Sequence, residues 1–301
     1  MAEKKTRNRK PLPIGVSDFK EIVENNYYYI DKTKLIEDIL HYRAKVNLFT
    51  RPRRFGKTLN MSMIKYFFDM ENREKNRKLF DGLNISESEY MQEQGQYPVI
   101  YISFRNMEEV SWENSYIAIR QLISNMYDEF KFIREDMDER ELFYFDNVWF
   151  NKDIADWKGS LKALTKYLYE YYGKKIVLLI DEYDKPIIKA HANGYYEETI
   201  KFFKSFFENA VKGNNYVEIT VITGILRIAK EGIFSGLNNL KVNTVLSDNY
   251  TEHFGILESE VEEALKYYEL NFELEEVKKW YNGYCFGKNE VYNPWSTINF
   301  L

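Results

Sequence analysis

The sequence has one cysteine, Cys285, and only three histidines, which lie far apart at positions 41, 191 and 253. An internal disulfide is therefore impossible, and no zinc site is expected because no histidine has a cysteine partner at metal-ligand spacing. No apolar run approaches the roughly 20 residues that a membrane-spanning helix needs, and the amino terminus lacks the apolar stretch of a secretory signal. These absences predict a protein of the cytoplasm or another reducing compartment.

An excess of basic charge is also missing. The 301 residues include 42 lysines and arginines against 47 aspartates and glutamates, which gives a formal net charge of -5. The whole molecule therefore offers no basic field that would attract nucleic acid, which leaves only a local patch for such a role. Hydrophobic residues make up 45% and aromatic residues 17% of the chain, so it can bury the core of one large domain or two smaller ones.

The order of apolar runs predicts the fold class. Residues 1–13 are polar and basic, which predicts a flexible tail or else an arm that contacts a nucleic acid or a partner. Beyond this tail, apolar runs rich in β-branched or aromatic residues predict four buried strands and a weaker fifth. These strands are predicted at 46–50, 98–104, 175–181, 218–223 and 242–246.

Helical stretches lie between these strands, with apolar residues at every third or fourth position in 58–70, 157–172 and 197–211. Strands that alternate with helices predict an α/β fold with a parallel sheet and helices on both faces. The segments 71–97 and 106–156 are more helical than strand-like, and we expect them to be helical insertions.

A domain boundary is predicted near residue 250, so that 14–250 forms the main domain. The sequence then becomes acidic and helical, which predicts a small helical segment over 251–301. Its last residues are typical of the beginning of a helix, with Pro294 or Ser296 at the amino terminus. The chain stops at once, so we expect that it is a truncated piece of a longer protein whose next domain is missing.

A basic loop joins the first predicted strand to an amphipathic helix in the segment VNLFTRPRRFGKTLNMSM. The amino terminus of a helix presents unpaired N–H groups and the positive end of a dipole, and both favour bound phosphate. Lys57 is expected to reach the β- and γ-phosphates of a nucleotide, and the Thr58 hydroxyl to ligate Mg²⁺. Phe55, Gly56 and Leu59 complete the predicted binding segment.

The phosphate motif is incomplete, because the pattern GxxxxGK[ST] requires a glycine where this chain has Arg51. A glycine there permits a tight turn, whereas an arginine puts that turn under strain or imposes a different path. Arg51, Arg53 and Arg54 could replace the lost N–H contacts by charge-assisted bonds to phosphate. The alternative is an ordinary surface turn.

Adjacent carboxylates, Asp181 and Glu182, end the strand in KKIVLLIDEYDKP, and Asp184 follows two residues later. Ligands of open α/β sheets bind at the carboxyl ends of the strands, where both this motif and the phosphate loop lie. An aspartate there can hold Mg²⁺ through water, and a neighbouring glutamate can orient the attacking water. The alternative is a solvated acidic turn, but the two motifs together favour nucleotide binding.

A third candidate follows the strand VEITVIT, which is expected between the two motif strands. Thr223 at its end could sense the γ-phosphate, and Arg227 just beyond could neutralise charge in the transition state, with Lys230 nearby. The alternative is a strand-to-helix turn with a solvated arginine.

The chain resembles the bacterial AAA-ATPase-like family, whose members often carry a nuclease-like domain of the PD-(D/E)XK type. The motifs that carry this resemblance are IGVSDF, YYYIDKT, LFTRPRRFGKTLNMSM, YPVIYISF, VLLIDEYDKPI, TGILRIAKEGIFSGLNN, WYNGYCFG and VYNPWS. The arginine in the phosphate loop belongs to the family's own pattern. No nuclease constellation occurs between residues 250 and 301, so no nuclease activity is assigned to this chain.

The resemblance implies a three-layer P-loop fold of the ASCE type that binds ATP. It implies Lys57 and Thr58 as phosphate and magnesium residues, Asp181 as the magnesium carboxylate, Glu182 as the water-orienting base and Arg227 as the arginine after the sensor strand. The assignment of adenine rather than guanine as the base of the nucleotide also rests on this resemblance.

Several functions stay open. The first is slow Mg²⁺-dependent ATP hydrolysis that controls a partner or a missing carboxyl-terminal domain, such as a nuclease-like one. The others are a nucleotide-binding regulatory module with negligible turnover, a nucleic-acid-binding protein and, last, a small-molecule kinase. Tyr27–Tyr29 could stack on adenine, but packing is the simpler interpretation of these rings and of those in WYNGYCFG. The oligomeric state is not predicted.

Overall fold

Five strands form the central sheet of the computed structural model, which describes residues 9–227, 233, 234, 236, 239–272 and 274–301. They are β1 (Val46–Thr50), β2 (Val99–Ser103), β3 (Ile176–Asp181), β4 (Val217–Gly224) and β5 (Leu240–Asn243), in the order β2-β3-β4-β1-β5. β3 pairs in parallel with β2 on one side and β4 on the other. The predicted sensor strand β4 therefore lies between β1 and β3, as expected.

The composition of β3 explains its central position. All six residues of IVLLID are buried, as a strand of a parallel sheet covered on both faces requires. The five predicted strands are all present, although β5 begins and ends earlier than expected. Its end follows from a turn in which the Ser247 amide donates to the Thr244 carbonyl and the Thr244 amide to the Ser247 hydroxyl.

The three helices predicted from apolar periodicity, at 58–70, 157–172 and 197–211, are present within about three residues of the expected bounds. In chain order they are α1 (Phe19–Glu24), α2 (Lys34–Tyr42), α3 (Lys57–Phe68), α4 (Arg73–Arg77), α5 (Trp112–Glu129), α6 (Glu139–Trp149), α7 (Ser160–Tyr172), α8 (Lys185–Asn193), α9 (Tyr196–Val211), α10 (Glu258–Tyr268), α11 (Leu274–Tyr281) and α12 (Pro294–Phe300). A parallel sheet with flanking helices is the predicted three-layer α/β arrangement, and this prediction is confirmed.

The chain divides into two compact units. The first contains the described parts of Met1–Arg43, Thr50–Gly95 and Asn243–Leu301, and the second contains Ala44–Phe49 with the described part of Gln96–Val242. Helices rather than strands fill the two long segments that were predicted as insertions. The domain boundary near residue 250 stays a prediction.

The core of the second unit is rich in phenylalanine. α9 buries four of these rings at helical spacing, Phe202, Phe203, Phe206 and Phe207, and Phe203 and Phe207 stack with their centroids 5.3 Å apart. Phe104, directly after β2, meets Phe203 edge to face at 5.2 Å. These rings belong to the same buried cluster as the core-facing side chains of the sheet.

The carboxyl-terminal segment differs from the prediction in one respect. It contains the expected helices α10 and α12, but three strands that were not predicted form a second, antiparallel sheet within the described residues. They are β6 (Ile256–Leu257), β7 (Asn282–Phe286) and β8 (Asn289–Tyr292), in the order β6-β8-β7. The segment 251–301 is therefore mixed rather than purely helical. Gly287, at a φ of 55°, makes the tight turn between β7 and β8.

The last residues of the predicted amino-terminal tail contact α10. Residues 1–8 of the expected flexible tail lie outside the described residues. The Lys10 amide donates to the Tyr267 hydroxyl, and the Tyr268 hydroxyl donates to the Lys10 carbonyl at 2.8 Å. These contacts attach the end of the predicted tail to α10 within the first unit. In the described part of the chain, no helix has the length and apolarity to cross a membrane.

Leu178→Ala in β3 should destabilise the protein. The Leu178 side chain is completely buried, so the truncation leaves a cavity and should lower the free energy of unfolding by about 2–5 kcal/mol. Urea denaturation measures the change. Leu246→Ala is the matched control, because Leu246 is 87% exposed and its truncation should change stability by no more than about 0.5 kcal/mol. Equal effects of the two substitutions would contradict the burial of β3.

Candidate functional site

The phosphate loop runs from the end of β1 to the first residue of α3. Arg54 and Gly56 both have positive φ, 68° and 73°, and Gly56 is the amino-terminal cap of the helix. Alternating left-handed residues turn successive backbone N–H groups toward one side, which makes an anion-binding concavity. The Lys57 ammonium donates to the carbonyl oxygens of Arg51 and Pro52 at 3.0 and 2.8 Å, so it lies over the loop.

Arg51 takes no part in this concavity with its side chain. The residue is fully buried, and its guanidinium donates to the carbonyl oxygens of Thr50, Asn243 and Tyr250 at 2.9, 2.7 and 3.2 Å. Burial lowers the pKa of the guanidinium to about 10, which still leaves it charged at neutral pH. The contact of Arg51 with phosphate stays a prediction, and the two terminal nitrogens of its guanidinium are engaged inside the first unit.

Two aromatic rings enclose the same guanidinium. Its central carbon lies 4.9 Å from the centroid of Phe254 and 5.1 Å from that of Phe286, within the range of cation–π attraction. Both rings belong to the carboxyl-terminal segment. The arginine at the usual glycine position therefore attaches the phosphate loop to residues 243–286.

Two further loop residues contact this segment. Phe55 is buried against Tyr284 and Phe286, with centroids 4.7 and 5.1 Å away. The Arg54 guanidinium lies 4.0 Å from the centre of Trp295. Arg53 and Arg54 are both exposed, whereas Arg51 is buried. Direct phosphate contacts of Arg53 and Arg54 stay predictions.

Thr58 and Leu59 occupy the first turn of α3, and both are half-buried. The Leu59 side chain lines a cavity of the first unit that also reaches Gly56. A hydroxyl one residue after the lysine is in the position that the magnesium role requires. That role stays a prediction.

The acidic motif lies in the second unit, where β3 ends. Asp181 is fully buried, and its carboxylate accepts hydrogen bonds from the Thr223 hydroxyl at 2.5 Å and the Tyr101 hydroxyl at 3.3 Å. Burial, and then the Asp181 charge, raise the pKa of Tyr101, so this phenol stays a donor. The predicted sensor Thr223 therefore contacts the predicted magnesium carboxylate directly.

Glu182 has an unusual backbone. Its φ of 51° is in the left-handed region, which is uncommon for a residue with a side chain and concentrates at functional sites. The Glu182 amide donates to the Thr223 hydroxyl oxygen at 3.3 Å, and the Tyr183 amide donates to the Thr223 carbonyl. The end of β4 thus supports the turn that carries Glu182.

Asp184 has a role that we did not assign from the sequence. Its carboxylate accepts the amides of Ile225 and Leu226 at 2.8 and 2.7 Å, so it fixes the backbone directly after β4. A side chain at Gly224 would collide with Tyr183 and Asp184, because a Cβ there would lie within 2.8 Å of both. The sequence showed the spacing of the acidic motif, but it did not show that Asp184 binds the amides of Ile225 and Leu226.

Arg227 follows the turn that Asp184 holds, and it is exposed. Its role in neutralising a transition state stays a prediction. Lys230 lies outside the described residues. The structure thus brings Asp181, Glu182 and Thr223 together in the second unit, and it places Arg51–Leu59 together in the first.

The predicted magnesium ligands have suitable chemistry. Mg²⁺ prefers oxygen ligands, keeps several waters and is usually bound by one or two protein groups together with substrate phosphates. A threonine hydroxyl and an aspartate carboxylate meet this requirement. In the part of the chain that the structure describes, no cluster of three His, Cys, Asp or Glu side chains forms a separate metal site.

Arg51→Gly restores the usual phosphate motif, but it should destabilise the protein. The substitution leaves three carbonyl oxygens without their donor and opens a cavity between two rings. We expect the free energy of unfolding to fall by about 3–5 kcal/mol in chemical denaturation. Arg53→Gly is the control in the same loop, and it should cost no more than about 1 kcal/mol. A variant Arg51→Gly as stable as the wild type would show that the buried contacts contribute nothing.

Comparisons with known proteins indicate the family of the chain. The sequence is 28% identical over 297 residues to an uncharacterized protein in the vnfD 5' region of Azotobacter chroococcum mcd 1. The match covers 97% of this chain but 52% of that relative, so the chain spans about half of the relative's length. No solved structure matches the chain. Residues 13–234 match the family described as predicted AAA-ATPase. The chain therefore belongs to the predicted AAA-ATPase family, a membership that indicates nucleotide binding.

Proposed function

We propose that this chain binds ATP together with Mg²⁺ and hydrolyses it slowly to ADP and phosphate. The observation that supports this best is the phosphate loop, in which two left-handed residues precede the helix and the Lys57 ammonium lies over the loop carbonyls. Such a loop offers backbone donors and one ammonium group to a polyphosphate. A reducing, cytoplasmic location fits the near absence of cysteine and stays a prediction.

The proposed roles follow from the chemistry of each side chain. Lys57 leaves its two carbonyl partners to contact the β- and γ-phosphates, and the backbone N–H groups from Gly56 onward hold the same phosphates. The Thr58 hydroxyl is proposed as a ligand of Mg²⁺, an ion that would neutralise charge on the phosphates. The Asp181 carboxylate is proposed, separately, as a magnesium carboxylate that acts through water. Thr223 keeps the Asp181 carboxylate oriented through their 2.5 Å contact.

Hydrolysis is proposed on the basis of Glu182. A protein that only holds a nucleotide needs no second carboxylate next to the magnesium aspartate. The backbone of Glu182 is in the left-handed region and is held by Thr223 at the end of β4. These contacts fix the position from which the Glu182 side chain extends. We propose that its carboxylate orients and polarises the water that attacks the γ-phosphate.

Control of a further domain or partner is the third part of the proposal. Arg51, Arg54 and Phe55 attach the phosphate loop to the segment 243–301, and these contacts are the route by which we propose that a change in the loop reaches that segment. The relative from Azotobacter is about twice as long as the matched region. We therefore propose that the nucleotide state acts on a following domain or a partner protein through this segment. A nuclease-like domain is one candidate.

Nucleotide binding should raise the melting temperature only when magnesium is present. At about 100 times Kd, ATP stabilises the folded state by about 2.7 kcal/mol. We expect this shift for the wild type with ATP and Mg²⁺, and no shift for Lys57→Ala or after Mg²⁺ is removed with a chelator. Lys75→Ala, an exposed lysine of α4, is the control and should behave like the wild type. If neither the wild type nor the variants respond, both motifs serve only the fold.

Glu182→Gln should separate binding from turnover. We expect the variant to keep its ATP-dependent thermal shift while its rate of phosphate release falls by about 100-fold or more, the usual effect of losing a catalytic acid or base. Glu135→Gln, an exposed glutamate, should leave the rate unchanged. Equal turnover in Glu182→Gln and the wild type would rule out the proposed base. Tight ATP binding without phosphate release by the wild type would instead identify a regulatory nucleotide-binding module.

A further inference from the structure

The turn that follows β4 is held at three points by the last two residues of the acidic motif. The Asp184 carboxylate accepts the amides of Ile225 and Leu226, and the Tyr183 hydroxyl donates to the Leu226 carbonyl at 2.8 Å. Tyr183 and Asp184 are both buried, and a buried hydrogen bond is costly to break because water does not replace the lost partner. We refer to these two side chains as the Tyr183–Asp184 clamp.

The clamp reaches the backbone of Arg227. The Leu226 carbonyl belongs to the peptide bond that joins Leu226 to Arg227, and a peptide unit is planar. A hydrogen bond to this oxygen therefore fixes the orientation of the whole unit, including the amide of Arg227. The Leu226 side chain is 50% exposed, and Arg227 is exposed as well, so burial of these two side chains does not hold the turn. The clamp sets the position from which Arg227 extends.

The surroundings of the clamp leave it little freedom to move. The Tyr183 ring is fully buried and packs on Phe207 of α9 and on Phe234, with centroids 6.4 and 5.2 Å away. Gly224 lies against the other side, where an added Cβ would be within 2.8 Å of both Tyr183 and Asp184. A displacement of the clamp would therefore also displace the end of β4.

The clamp is directly connected to Glu182. The Glu182 amide donates to the Thr223 hydroxyl oxygen, and the amide of the next residue, Tyr183, donates to the Thr223 carbonyl. A short series of hydrogen bonds within the second unit thus joins the backbone of Glu182 to that of Arg227. An arginine that meets the charge developing in phosphoryl transfer is most effective when it is in place before the reaction.

We propose that Tyr183 and Asp184 are positioning residues, which hold Arg227 at a fixed place relative to Glu182 so that its guanidinium stabilises charge on the transferred phosphate. This inference rests on the proposed hydrolysis of ATP. It gives a role to the half of the acidic motif that the proposed magnesium and water contacts leave unused. The clamp serves the rate of the chemical step rather than the affinity for ATP, since the charge that Arg227 meets develops in the transition state.

Tyr183→Phe tests the clamp, because it removes one hydrogen bond and keeps the buried ring. We expect kcat for phosphate release to fall by about 10-fold, since a misplacement of about 1 Å costs up to about 100-fold in rate. The Kd of ATP in Mg²⁺ should stay within about 2-fold of the wild type. Tyr127→Phe is the matched control, because Tyr127 is equally buried in the second unit and its hydroxyl donates to the Ser160 carbonyl at 2.7 Å. It should keep the wild-type kcat.

A double-mutant cycle tests whether the clamp acts through Arg227. Arg227→Ala alone should lower kcat by at least about 10-fold. In the Arg227→Ala background, Tyr183→Phe should have no further effect on kcat, because the group that the clamp positions is gone. A merely structural role of Tyr183 would lower kcat by the same factor in both backgrounds. Gly224→Ala, which presses on the clamp from β4, is a second variant and should show the same dependence on Arg227.

Three results would overturn the positioning role. They are an equal loss of kcat on Tyr183→Phe with and without Arg227, a wild-type kcat in Arg227→Ala, and a wild-type kcat in both Tyr183→Phe and Gly224→Ala. Each of these results would leave the proposed hydrolysis of ATP intact. If the wild type releases no phosphate, the proposed hydrolysis itself fails, and the positioning role fails with it.

Discussion

The buried guanidinium of Arg51 is the interaction on which the geometry of the phosphate loop depends. A charge removed from water is stable in a protein only when hydrogen bonds replace those it has lost, and here three carbonyl oxygens and two aromatic rings do so. Two of these carbonyls belong to residues 192 and 199 positions away in the sequence. The loop is thus held from outside, by the segment that begins at β5, and not by the glycine that usually permits its turn. This explains how an arginine can occupy a position that the motif reserves for the smallest residue.

The acidic half of the candidate site is held in the same manner, by side chains that fix neighbouring backbone. Thr223 contacts the Asp181 carboxylate and the Glu182 amide, while the Asp184 carboxylate fixes the two amides that follow β4. The ends of β3 and β4 therefore act as one structure in the second unit. Thr223 therefore contacts both residues to which the proposal assigns magnesium and the attacking water, Asp181 through its carboxylate and Glu182 through its amide.

The described contacts of the first unit connect the phosphate loop to the carboxyl-terminal segment. The phosphate loop contacts this segment through Arg51, Arg54 and Phe55. Membership of the predicted AAA-ATPase family indicates nucleotide binding. The proposed function adds that the nucleotide acts on this segment through the loop.

The sequence by itself determined the five strands of the central sheet, three of its flanking helices and the two motifs, because each depends on local chemistry. Buried parallel strands require continuous apolar runs, and the phosphate loop is marked by GKT at the start of a helix, so both can be identified from a few neighbouring residues. Only the tertiary structure decided the contacts of Arg51, because its partners come from remote positions that no local pattern links to it. The same holds for the β7–β8 hairpin, whose glycine and asparagine residues have little intrinsic preference for strands. A buried charge and a hairpin on a small sheet are both set by what packs around them, and that is a property of the folded chain.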